Sequence, residues 1–130
     1  HLQGGMEMIA AANQAKGNTK ILGVSLLTSL DESDTQMLYS NSFDNQFNNL
    51  INAAEKSDVD GIVCSSKELN LLSSSKLIKV VPGIRNQDRS DDQKRVMSSK
   101  EAYENGANYI VVGRPITQSK NIDEAVREYS

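Results

Sequence analysis

The sequence predicts an α/β fold with a parallel sheet, in extent about half of a (β/α)8 TIM barrel, and three observations lead there. Short apolar runs alternate with helical patterns at a spacing that suits βα units rather than hairpins. The first run, Ile21-Leu22-Gly23-Val24-Ser25-Leu26-Leu27, is nearly continuous in apolar character, as expected of a strand covered on both faces. Each run also exits into small or polar residues. The 130 residues hold only about half of the units of such a barrel, which usually needs roughly 200 residues or more. A small open doubly wound sheet, which a chain of this length could complete alone, is the alternative.

The elements follow in order. His1-Leu2-Gln3-Gly4-Gly5 reads as the polar end of a strand and its turn, and residues 1–130 are expected to be part of a single domain. Met6, Ile9, Ala10 and Ala12 open a helix that Gly17 closes. Strand 21–27 ends in Thr28-Ser29, and Ser29 stands where a helix N-cap would precede Asp31 and Glu32. Phe43, Phe47, Leu50, Ile51 and Ala54 trace an i, i+4, i+7, i+8, i+11 stripe. Gly61-Ile62-Val63-Cys64 is the second strand, and Ser65 with Glu68 has capping-box spacing directly after it. Leu77-Ile78-Lys79-Val80-Val81 is the third, ending in Pro82-Gly83. Ser98 with Glu101 caps a short helix that ends at Gly106. Tyr109-Ile110-Val111-Val112 is the fourth strand, and Ile122, Ala125, Val126 and Tyr129 form a final amphipathic helix.

Composition narrows the function classes. Lys plus Arg number 14 against 17 Asp plus Glu, a net charge of -3, with four Tyr and two Phe. A broad basic surface with interleaved aromatics for nucleic acid is therefore not expected. No apolar run approaches the roughly 18 to 20 residues that cross a bilayer, and no signal-peptide pattern opens the chain, so neither membrane nor secretion is expected. One cysteine, Cys64, and one histidine, His1, argue against a disulfide framework or a zinc site and fit a reducing cytoplasm.

In parallel α/β folds, ligands collect at the carboxyl ends of strands, where exit loops and helix N-termini converge. Val112-Gly113-Arg114-Pro115-Ile116-Thr117 suits a phosphate there: glycine lets a ligand approach the main chain, and Arg114 offers a planar fork of donors. The plainer reading is a turning glycine beside a solvated arginine. Pro82-Gly83-Ile84-Arg85 leads into a long charged loop up to Arg95, either a binding loop or a solvated excursion. Thr28 is a candidate donor to a ligand carbonyl. Cys64, inside an apolar strand without a nearby His, reads as a buried structural thiol. Asp92-Gln93-Lys94 has no further acid at the right offset and is discounted as a catalytic pair.

Taken together, Gly23-Val24-Ser25-Leu26-Leu27-Thr28-Ser29, Asp60-Gly61-Ile62-Val63-Cys64-Ser65, Pro82-Gly83-Ile84-Arg85 with Asp91-Asp92-Gln93-Lys94-Arg95, and Val111-Val112-Gly113-Arg114-Pro115-Ile116-Thr117 resemble the orotidine 5'-phosphate decarboxylase family, over nearly the whole chain. The resemblance implies a lyase of de novo pyrimidine synthesis, without cofactor or metal, that binds orotidine monophosphate and yields uridine monophosphate. It also implies a cytoplasmic homodimer, and it makes the chain the C-terminal half of a (β/α)8 barrel that begins, at His1 to Gly5, at the exit of the fourth strand. It places Arg114 and the Gly113 N–H on the 5'-phosphate, Arg85 as a second phosphate contact, Gln93 as a lid residue bridging phosphate and pyrimidine, Thr28 near the pyrimidine amide and Pro82 in the base pocket. The family's catalytic Asp-x-Lys-x-x-Asp array does not occur in these residues. It is expected upstream of His1, so this chain alone is not expected to catalyse. Two other readings stand beside this one: a sister decarboxylase of the same barrel acting on a sugar phosphate, and a non-catalytic phosphate-binding α/β domain.

Overall fold

The computed structural model describes residues 1–86 and 97–130. A short 3-10 turn, Leu2–Gly4, opens the chain and runs into α1 (Gly5–Ala15). Then follow β1 (Leu22–Val24), α2 (Glu32–Tyr39), α3 (Phe43–Lys56), β2 (Gly61–Val63), a 3-10 segment Ser66–Leu72 and β3 (Ile78–Pro82). The chain closes with α4 (Ser99–Glu104), β4 (Tyr109–Val111), α5 (Arg114–Thr117) and α6 (Ile122–Tyr129). The four strands lie in the order β1-β2-β3-β4 and every pairing is parallel. Sequential order without reversal is the topology of a barrel segment. A doubly wound sheet would reverse direction at a switch point, and none occurs among the described strands.

Register decides which side chains meet the helices. Gly23, Ile62 and Val81 with Ile110 lie on one face, and Ile62, Val81 and Ile110 pack there with Ile9, Phe47, Leu50 and Ala54 of α1 and α3. The expectation of a first strand covered on both faces does not hold among the described residues. Leu22, Tyr109 and Val111, on the opposite face, are exposed by 39%, 62% and 49%. The helices pack against one side of the sheet, so alternate strand residues have no helical neighbour there.

Gly61 permits the close β2–β3 pairing: a Cβ at this position would lie 2.5 Å from the carbonyl oxygen of Ile78 and 2.7 Å from Cδ2 of Leu22. Main chain cannot give way as a flexible side chain can. Gly83, at φ 76, turns the chain sharply out of β3 in the left-handed region that glycine adopts without strain. Beyond it, Ile84 forms a parallel bridge with Met97.

The α3 stripe lies inward throughout: Phe43, Phe47, Leu50, Ile51 and Ala54 are all buried. Both expected capping boxes are present, Ser65 with Glu68 and Ser98 with Glu101. Gly17 and Gly106, just past the ends of α1 and α4, have the positive φ expected of them. Two expectations need correction. Ser29 is not the cap of α2. Asp31 takes that place and forms a reciprocal box with Asp34, because its carboxylate both accepts the Asp34 N–H at 3.0 Å and favours the positive end of the helix. In α6 only Ala125 and Tyr129 are buried, while Ile122 and Val126 are exposed. They form two neighbouring i, i+4 rows, and only one row is covered by the rest of the chain.

Candidate substrate-binding site

The parallel sheet places all four strand exits along one edge. After β1, Ser25 still donates its main-chain N–H to Val63 at 3.1 Å, and its hydroxyl donates to the same carbonyl at 2.9 Å. Leu27 and Leu30 then close a turn at 3.0 Å that carries Thr28, half-buried, and Ser29, exposed. After β2 comes buried Cys64. Burial pushes its thiol up to about 12, with the nearby Glu68 carboxylate adding to the rise and Lys79 opposing it. A neutral, buried thiol fits the structural role read from the sequence.

Pro82 ends β3 opposite Val111 and shares its sheet face with the partly buried Val63 and Val24. Arg85 follows Gly83 and Ile84. Its main-chain N–H donates to Met97 at 3.0 Å and its Nη1 donates to the carbonyl of Ile84 at 2.9 Å. Gly113 leaves β4 with its carbonyl accepting from the N–H groups of Ile116 and Thr117, which starts α5 directly at Arg114. Pro115 suits the first turn of a helix, where a missing N–H costs nothing. A Cβ at Gly113 would meet nothing within 4 Å, so this stretch of main chain is open to a ligand.

The structure brings two of the expected residues together. Arg85 and Arg114, from the exits of adjacent strands, line one cavity of about 570 Å³ with Lys120, Glu124, Glu128 and Tyr129. That volume lies within the roughly 300–1,000 Å³ of small-molecule sites. Thr28, Pro82 and Gly113 stand on the same edge of the sheet but do not line this cavity. Gln93 lies outside the described residues.

Sequence reasoning missed the far wall of the cavity and the residue that joins its two sides. Lys120 lies in the polar run that leads into α6 and Glu124 in the first turn of that helix, and neither carried a motif. Asn86 makes three long-range bonds. Its main-chain N–H donates to the phenol oxygen of Tyr129 at 3.1 Å, its Nδ2 donates to the carbonyl of Glu128 at 2.7 Å, and its Oδ1 accepts the N–H of Ser99 at 2.8 Å. The only local hint was an Asn in a turn-like position after Arg85.

The comparisons with known proteins agree with the fold. The orotidine 5'-phosphate decarboxylase / HUMPS family matches residues 1–129. The chain is 46% identical over 127 residues to the orotidine 5'-phosphate decarboxylase of Aquifex aeolicus, covering 93% of this chain and 55% of that protein. To the orotidine 5'-phosphate decarboxylase of Erythrobacter litoralis it is 38% identical over 133 residues, covering 98% of this chain and 59% of that one. The crystal structure of orotidine 5'-phosphate decarboxylase from Lactobacillus acidophilus superposes with a TM-score of 0.78 at 28% identity, covering 99% of this chain and 61% of that one. The chain thus spans less than two thirds of the length of these relatives, and its four βα units match about half of their barrel. With the family matched almost from end to end, this chain belongs to the orotidine 5'-phosphate decarboxylase / HUMPS family.

Proposed function

We propose that this chain is the C-terminal half of the barrel of an orotidine 5'-monophosphate decarboxylase, beginning at the exit of the fourth strand, and that it supplies the phosphate- and pyrimidine-binding side of the site. The observation that carries this reading is the meeting of Arg85 and Arg114 in one cavity at the carboxyl edge of a parallel sheet. The similarity to relatives named orotidine 5'-phosphate decarboxylase favours a nucleotide over a sugar phosphate.

In this reading Arg114 and the N–H of Gly113 hold the 5'-phosphate, and Arg85 adds a second cation from the neighbouring strand. Guanidinium forks match phosphate oxygens in pairs, which fixes orientation as well as charge. Pro82 and Thr28, along the same edge, face the pyrimidine. Loss of CO₂ from orotate leaves an electron pair on a ring carbon with little delocalisation. Interactions made far from that carbon must then supply much of the transition-state stabilisation, and a dianionic phosphate is the strongest remote handle the substrate offers. The groups that act at the reacting carbon belong, in this proposal, to the other half of the barrel.

Calorimetric titration of the chain with uridine monophosphate tests the reading. Binding is expected, and Arg114→Ala should weaken it by about 2–3 kcal/mol, the cost of leaving a charged partner unmatched. An unchanged affinity removes Arg114 from the site. A pentulose phosphate that bound where the nucleotide did not would assign the chain to sugar-phosphate chemistry.

A further inference from the structure

We infer that Asn86 is the positioning residue that holds Arg85 in the cavity that Arg114 also lines. The inference rests on the proposed phosphate site and adds to it a residue outside the cavity wall.

The argument begins with unmet helix ends. The first N–H groups and the last carbonyls of a helix have no partner within it. Asn86 satisfies one of each: its Oδ1 takes the N–H of Ser99, the first residue of α4, and its Nδ2 gives to the carbonyl of Glu128 in the last turn of α6. A single amide side chain thereby joins the start of one helix to the end of another. The third bond runs from the Asn86 main chain to Tyr129, whose ring is 7% exposed and packed in the core. The chain after β3 is therefore fastened to a buried group.

Arg85 lies between two tethers. On one side its own N–H is held by Met97, and on the other the next peptide is held by Tyr129. Its stem is thus located relative to α6, the element that follows Arg114 and α5 and forms the far wall of the cavity. Two cations near one anion gain from being held in place beforehand, since the ordering cost is then met in folding rather than in binding. Removing the Asn86 side chain leaves both arginines and the main-chain bonds to Met97 and Tyr129 in place, and breaks the two side-chain bonds that tie this stretch to α4 and α6.

A double-mutant cycle on the chain tests this, with inorganic phosphate and uridine monophosphate as probes. Asn86→Ala should weaken both by about tenfold, in keeping with the loss of one to two net hydrogen bonds. In an Arg85→Ala background the same change should have little further effect, because Asn86 acts through Arg85. Tyr129→Phe, which removes only the hydroxyl and keeps the buried ring, should give a smaller loss in the same direction and covers the case in which Asn86→Ala does not fold. Full affinity in the single variants overturns the inference, and so does an equal loss with and without Arg85. Failure of the parent chain to bind either probe would instead remove the phosphate site on which the inference rests.

Discussion

Lys16 and Asp60, 44 residues apart in the chain, meet at 2.8 Å at the amino edge of the sheet. The same carboxylate oxygen of Asp60 accepts the main-chain N–H of Ile21 at 2.8 Å, so one side chain links the end of α1, the approach to β1 and the approach to β2. It does at the lower edge what Asn86 does at the upper one. The bond from Lys16, then that from Ile21, holds the Asp60 carboxyl below its ordinary value of 3.8 against the opposing effect of partial burial.

That depression makes the clamp sensitive to acid in a defined direction. A carboxyl with a lower pKa folded than unfolded binds fewer protons in the native state. Its stabilisation is complete above the unfolded value and disappears as pH falls through the folded one. Asp60→Asn should therefore melt below the parent at neutral pH, and the gap should close as the pH falls below the ordinary carboxylate range. A gap of constant size across that range would show that Asp60 acts through packing instead.

The two serine-glutamate capping boxes differ in burial, and their costs should differ accordingly. Ser65 is fully buried and its hydroxyl lies 2.7 Å from Oε1 of the buried Glu68, whereas the box of Ser98 and Glu101 faces water. Ser65→Ala is expected to cost about 1–3 kcal/mol, because a buried carboxylate loses a donor. Ser98→Ala should cost about 0.5–1 kcal/mol, the usual loss of an exposed cap. Denaturant titrations of both variants give the comparison, and equal losses would contradict it.

Gly61→Ala probes the closest approach in the sheet. The added carbon would overlap the Ile78 carbonyl, so β2 and β3 must separate or shift register. The expected loss is about 1–3 kcal/mol, the range for overpacking. Native-level stability in a thermal melt would mean that the strands sit further apart than described.

Cys64 should be inert in the folded chain. With its thiol pushed up to about 12 and its side chain buried, almost no thiolate is available at mildly alkaline pH. An alkylating reagent should modify it only after denaturant is added, and rapid labelling of the native chain would argue for an open site at the β2 exit.

How much of this was legible beforehand follows the range of the interactions involved. The α3 stripe, the boxes at Ser65 and Ser98 and the turns at Gly17 and Gly106 rest on contacts within about one helical turn, and their signals lie in adjacent residues. The α2 cap shows the limit of such reading: Ser29 was expected there, and the reciprocal bonds between Asp31 and Asp34 put the cap at Asp31 instead. Helix α5 gave no periodic signal because it is a single turn.

The sequence by itself determined the alternation of strands and helices, the parallel sense of the sheet and the polar character of each strand exit, because hydrophobic period and cap chemistry are local. Only the tertiary structure decided that Arg85 and Arg114 share a cavity, that Asn86 ties α4 to α6, that Lys16 reaches Asp60, and that half of the α6 stripe stays exposed. Each of these depends on which elements become neighbours, and that is set by burial and strand register summed over the whole fold.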